Sequence, residues 1–273
     1  MEMFFYSFMQ RAFLSATLMG IIAPILGVFL ILRRQSLMAD TLSHVSLVGI
    51  GLGLMVGLNP TWSTLAIVIL TAAGIEFVSD RFNGYSEVSI AILMSTGMAV
   101  ALILMSLISN RTTMTINQFL FGSIIAITEE QVRLLFMLTI LTVSAYFIFR
   151  RPLYVLIFDP DTAHTAGLPV RLMSTIFTVV TGAVISVLMP IAGALLISAI
   201  IVLPGAIALQ LTPNFKYVFI TGILVSVLGM YGGLIASYQF DTPPGATITV
   251  MLALVLVVIL IAKLFIGKKW TKL

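Results

Sequence analysis

Ala12-Phe13-Leu14-Ser15-Ala16-Thr17-Leu18-Met19-Gly20-Ile21-Ile22-Ala23-Pro24-Ile25-Leu26-Gly27-Val28-Phe29-Leu30-Ile31-Leu32-Arg33-Arg34 decides what kind of molecule this is. From 12 to 32 no residue is charged, and then two arginines stand side by side. About 20 apolar residues, wound as a helix, are long enough to cross a hydrocarbon layer of about 30 Å. Water cannot satisfy backbone groups inside that layer, so the expected form is a helix, which satisfies its own. Runs of the same kind recur at 36–57, 61–78, 88–109, 134–150, 172–190, 191–211, 217–238 and 246–266. The stretch 116–127 is apolar but too short to cross, and reads as re-entrant or interfacial. Residues 172–211 form one apolar run that would overshoot a bilayer as a single helix, so a break is expected near Pro190. The count is therefore eight or nine helices.

Composition agrees. Of 273 residues, 60% are hydrophobic and 9% charged, where a soluble domain carries about 25% charged. No polar stretch is long enough to form a separate soluble domain. The expectation is an all-α integral membrane protein, a polytopic helical bundle forming one transmembrane domain over 1–273. The net charge of +4 is no sign of nucleic-acid binding here, because in such a chain the position of the basic residues carries the information. The absence of cysteine excludes disulfides and thiolate ligands. Met1 to Gln10 holds no basic stretch, and no clear cleavage site follows the first run, so that run is expected to be retained.

If the Arg33–Arg34 end is cytoplasmic, alternation puts Arg81, Arg150, Arg151, Arg171, Lys216, Lys263, Lys268, Lys269 and Lys272 on the same side. Only Arg11, Arg111 and Arg133 fall outside. That bias predicts an outer N-terminus and a cytoplasmic C-terminus.

The second run carries Asp40 and His44, four residues apart and so on one face of a helix. A carboxylate at membrane depth costs about 3 kcal/mol on insertion scales, so such residues face cavities and usually carry function. Carboxylate plus imidazole suits a borderline divalent ion such as zinc or manganese. Two ligands bind weakly, which suits a permeation site that must release its ion, and a symmetric dimer could bring two pairs together. The alternative is a structural hydrogen bond, with Asp40 capping a helix break. Gly49, Gly53 and Gly57, at every fourth position behind the pair, predict close approach of a neighbouring helix.

Between the runs ending at 150 and starting at 172 lies Asp159-Pro160-Asp161-Thr162-Ala163-His164-Thr165-Ala166-Gly167. Asp159 fits an N-cap, Pro160 the first helical position, Asp161 the positive end of the dipole and Gly167 the stop. The pattern predicts a short capped cytoplasmic helix at about 159–167, a docking element for a soluble partner or an ordinary connector. Outside the membrane, Arg11, Arg111 and Arg133 could pair with carboxylates of a binding partner or anchor at headgroups. Glu129 and Glu130 could receive a cation at the outer mouth, or be solvated, or cap the helix that follows Thr128.

Four segments resemble the metal-ion (ABC-3) permeases: Arg33 to His44, Asn117 to Gly122, the Asp159–Gly167 loop, and Gly193 to Pro204. They occur in the family order, and the resemblance covers nearly the whole chain. It implies an ABC-importer permease with a fold like that of the vitamin B12 and metal-chelate (type II) importers. It also implies a homodimer in a bacterial plasma membrane, two cytoplasmic ATP-binding-cassette ATPases carrying ATP and Mg2+, and an extracellular metal-binding lipoprotein. Asp40 and His44 would contact the transported Zn2+ or Mn2+, with zinc favoured. Asp159, Asp161, Ala163, Ala166 and Gly167 would form the coupling helix. Val48 departs from the family, where many members have proline.

No Gly-x-x-x-x-Gly-Lys-Ser/Thr loop is present, so the chain is expected to bind no ATP in that way and to hold no cofactor. An ATP-independent secondary transporter would use the same pair without a docking loop. An intramembrane metalloprotease is disfavoured: His-Glu-x-x-His is absent, and a catalytic zinc takes three protein ligands.

Overall fold

The computed structural model describes residues 6–82, 86–107, 122, 127–158, 167 and 169–266. Among them are nine helices, each long and apolar enough to cross a membrane, and no strand. They are α1 (Ser7–Leu32), α2 (Met38–Val56), α3 (Pro60–Arg81), α4 (Ser86–Leu107), α5 (Glu129–Phe158), α6 (Val170–Ala192), α7 (Ala194–Leu211), α8 (Phe215–Phe240) and α9 (Pro244–Ile266).

The run 172–211 is two helices, but the break falls at Gly193 and not at Pro190. Pro190 stays inside α6 near its end, where a proline costs the helix one hydrogen bond to the preceding turn. Gly193 takes φ 78° and ψ 156°, a conformation that a Cβ makes costly. Its N–H still donates to the Met189 carbonyl at 3.0 Å, and its own carbonyl receives the Ile197 N–H at 3.2 Å. The chain therefore turns here with few backbone groups left open. Gly122 packs against this turn so closely that a Cβ on it would overlap the Ala192 carbonyl, so two of the family-like segments meet at the break.

A second departure is α5. The run was expected to end at 150, yet Arg151 and Pro152 continue a helix of 30 residues, about 45 Å long and longer than the hydrocarbon layer. Its last turns are held by rings. Tyr154 and Phe158 each meet Phe215 of α8 edge to face, at centroid distances of 5.0 and 5.8 Å.

The core sits around α1, of whose membrane-length window 78% is buried, against 11% for α9 on the rim. α1 packs on α5, α7 and α8, while α2 packs on α3, α4, α6 and α7. Phe29 of α1 is fully buried and meets the edges of Phe177 and Phe215 and the tilted ring of Phe219. α1 and α7 touch backbone to backbone: a Cβ on Gly27 would overlap the carbonyl oxygen of Ile201. Gly49 and Gly53 behave as the four-residue spacing predicts, pressing on Thr64 and Ser63 of α3. Gly57 does not. It is the left-handed cap that ends α2, with open space around it.

Candidate functional site

The turn between α1 and α2 sets the site. Arg34 takes φ 56°, and the Gln35 N–H reaches back to the Leu30 carbonyl at 2.8 Å. The chain reverses within a few residues, and Met38 and Ala39 at the start of α2 are fully buried. Asp40 therefore falls in the first turn of a helix that begins inside the bundle. A carboxylate there is stabilised by the unpaired N–H groups of that turn, by about 0.3–1 kcal/mol. This offsets part of its insertion cost. The side chain caps neither α2 nor the break at Gly193; its partner is elsewhere.

That partner is Ser198 of α7, whose Oγ donates to Asp40 Oδ1 at 2.9 Å. The hydroxyl has one proton, and its other acceptor, the Ala194 carbonyl, is farther at 3.4 Å. His44 Nε2 lies 3.5 Å from the same Oδ1, longer than a well-formed hydrogen bond. The His44 and Asp40 side chains keep 20% and 35% of their exposure, whereas Leu42, Ser43 and Ser46 beside them are buried. The pair thus borders open space from a packed wall. His44 Nδ1 is buried without a hydrogen-bond partner, so Nε2 is the nitrogen presented to a ligand. Among the described residues no third His, Asp, Glu or Cys joins the pair. Chemically this is a carboxylate and an imidazole on one helix face, oriented by a hydroxyl from another helix.

Ser198 was not singled out from the sequence. Its only signal there was membership of the Gly193–Pro204 segment. The other sequence candidates do not converge on Asp40 and His44. Arg133 pairs with Glu129 at 3.6 Å, both side chains 76% exposed, so one proposed docking cation and one proposed mouth carboxylate neutralise each other. Glu130 is exposed at the start of α5. The capping is done by Thr128 and Gln131, which exchange hydrogen bonds at 3.0 and 3.3 Å. Arg11 lies inside α1, part-buried, with its Nε unpartnered. Gly167 is exposed at φ 74°, the conformation of a helix stop. Arg111, Asp159, Asp161, Ala163 and Ala166 lie outside the described residues.

Fold and site together define a multi-pass helical membrane protein with a polar cluster, Asp40, His44 and Ser198, in its apolar interior. The chain belongs to the ABC 3 transport family, whose model matches residues 5–263. Membership expected from four short segments is thereby borne out over almost the whole length. A protein of Treponema pallidum (strain Nichols) described as "Probable metal transport system membrane protein" is 30% identical over 97% of this chain and 99% of its own. The manganese transport system membrane protein MntC of Listeria innocua is 29% identical, over 97% of this chain and 92% of its own. Among solved structures, PsaBC from Streptococcus pneumoniae in complex with a Fab matches with a TM-score of 0.83 at 26% identity, covering 94% of this chain and 92% of that one.

Proposed function

We propose that this chain is the membrane-spanning permease subunit of an ATP-binding-cassette importer for divalent transition-metal ions. Asp40 and His44 contact the ion on its path, and Ser198 orients the carboxylate. The observation that carries this is the Asp40–His44–Ser198 constellation, bordering open space inside a bundle of this family. The chain works as a homodimer in a bacterial plasma membrane, its N-terminus outside and its C-terminus in the cytoplasm. Two copies would supply four ligands where one supplies two. An extracellular metal-binding lipoprotein delivers the ion, with Arg11, Arg111 and the Arg133 region facing it. Two cytoplasmic ATPases dock at 159–167 and drive the dimer between inward-open and outward-open states. The chain itself is a single transport domain without an ATPase site.

For the ion, two readings each have support. Bonds of about 2.0–2.2 Å in a tetrahedral shell put neighbouring N and O ligands about 3.4 Å apart. The 3.5 Å between His44 Nε2 and Asp40 Oδ1 is compatible with that edge, and the imidazole ligand favours zinc. The relative named for manganese transport favours manganese. Metal-resolved uptake in cells lacking this chain, complemented with it, separates the two. In the same assay Asp40→Ala and His44→Ala abolish accumulation of the ion while leaving membrane insertion intact. Near-normal uptake by both variants removes the pair from the mechanism. Uptake that survives loss of ATP, with no ATPase co-purifying, points instead to a secondary transporter.

A further inference from the structure

The two helices that flank residues 159–169 lead to one residue of α1. Helix α5 ends at Phe158, directly before that segment, and α6 begins at Val170, directly after it. On the α5 side, Tyr154 and Phe158 meet the Phe215 ring edge to face, and Phe215 meets Phe29 of α1 in the same way at 6.3 Å. α5 packs closely only on α1 and α6 among the described helices, so its last turns reach α8 through rings. On the α6 side, Ser174 in the second turn accepts a hydrogen bond from Arg33 of α1. One turn further, Phe177 meets the Phe29 ring edge to face at 5.8 Å, and the Arg33 guanidinium lies over it. Phe29 itself stands between the two places where α1 sets the candidate site. Two residues before it, Gly27 is pressed on the carbonyl of Ile201, one turn from Ser198 on α7. One turn after it, the Arg33 N–H bonds the Phe29 carbonyl, and the chain then reverses into α2 and Asp40. Edge-to-face rings in a close-packed interior hold defined positions, and such packing shifts between discrete arrangements instead of deforming smoothly.

We infer that the Phe215–Phe29–Phe177 ring set is the positioning element that links the segment 159–169 to the Asp40–Ser198 pair. Displacement of either end of the segment moves Phe29, and α1 then carries the motion to the carboxylate and the hydroxyl together. The three rings act through α1 and not on the ion. This rests on the reading of 159–167 as the ATPase dock.

Two measurements on the same variants test this: Zn2+ and Mn2+ uptake in complemented cells, per chain in the membrane, and ATP hydrolysis by the purified complex. Phe215→Leu cuts the line from α5, and Phe177→Leu cuts the line from α6. Each should keep its ATPase and hydrolyse ATP within about twofold of the original, while uptake falls about fivefold or more, the lower end of typical coupling between sites. Phe215→Tyr keeps the ring and restores uptake. Phe13→Leu removes an edge contact of the same kind between α1 and α8, on Tyr231 at 4.9 Å, away from the segment, and leaves uptake unchanged. Added to Ser198→Ala, Phe215→Leu gives little further loss, whereas independent changes multiply to within about twofold. An assembled complex in which both leucine variants keep the original uptake overturns the linkage alone. So does an equal fall in Phe13→Leu, which would make uptake a matter of stability, or a fully multiplied loss in the double variant. If no ATPase co-purifies with the unaltered chain, the docking reading fails and the linkage falls with it.

Discussion

Ser198→Ala removes the one described side-chain hydrogen bond that fixes the Asp40 carboxylate. The bond is 2.9 Å long and its acceptor is a carboxylate, a type that contributes about 1.5–3 kcal/mol. Without it Asp40 Oδ1 faces only His44 Nε2 at 3.5 Å, and the carboxylate is free to rotate. Loss of a partner that orients a metal ligand typically costs about 10–100-fold in affinity or activity, and 1.5–3 kcal/mol corresponds to about the same range. The predicted loss is therefore about 10–100-fold in the maximal uptake rate of the ion. If an extracellular binding protein delivers the ion, as proposed, that protein sets the half-saturating concentration, which then stays near its original value. Ser198→Thr keeps the hydroxyl and restores most of the rate. The assay is initial-rate metal uptake in complemented cells, with the amount of chain in the membrane measured in parallel. A Ser198→Ala rate within twofold of the original at equal protein refutes the positioning role. Equal losses in the Thr and Ala variants would mean that the site responds to packing, not to the hydroxyl.

Three further outcomes follow from the packing and the topology. Gly27→Ala forces α1 and α7 apart because the new methyl overlaps the Ile201 carbonyl. It should cost at least about 3 kcal/mol and lower the melting temperature of the purified chain, whereas Gly74→Ala, with nothing within 4 Å, is neutral or slightly stabilising. Leu58→Cys and Lys216→Cys, both exposed, are the only cysteines in their variants. A membrane-impermeant maleimide should label the first in intact cells and the second only after lysis. Gly167→Trp puts a bulky side chain on a residue at φ 74° and is expected to lower ATP-driven uptake several-fold at unchanged protein level; unchanged uptake counts against docking there.

The helices were legible because each is an apolar run long enough for a bilayer, and a bilayer tolerates little else. Their ends were less so. Hydropathy marks where a helix leaves lipid, and helices do not stop there. α5 runs on through Arg150, Arg151 and Pro152, where Tyr154 and Phe158 pack on the Phe215 ring of α8. Pro190 drew the break to itself because proline is the commoner helix breaker. Near the end of a helix, however, it removes little, and the neighbouring Gly193 supplies a turn that proline cannot. The stripe 49, 53, 57 was correct in spacing but mixed two uses of glycine: two positions press on α3, and the third ends the helix.

The Asp40–His44 pair was legible because both residues lie one turn apart on a single helix, where sequence spacing is spatial spacing. Ser198 was not, because it comes from 158 positions away and a serine in an apolar helix usually bonds its own preceding turn. Many of the hydroxyls here do just that, including Ser43, Thr139 and Thr181. What sets Ser198 apart is the helix that carries it. α7 restarts at Gly193 and is clamped to α1 at Gly27 and Ile201, one turn beyond Ser198. The turn at Arg34 and Gln35 then returns α2 to the same place. The carboxylate and the hydroxyl are thus fixed by one rigid contact between α1 and α7. Gly27→Ala should therefore shift uptake in the same direction as Ser198→Ala even in membranes where the variant remains inserted. If inserted Gly27→Ala transports at the original rate, the α1–α7 contact holds the fold but does not set the site.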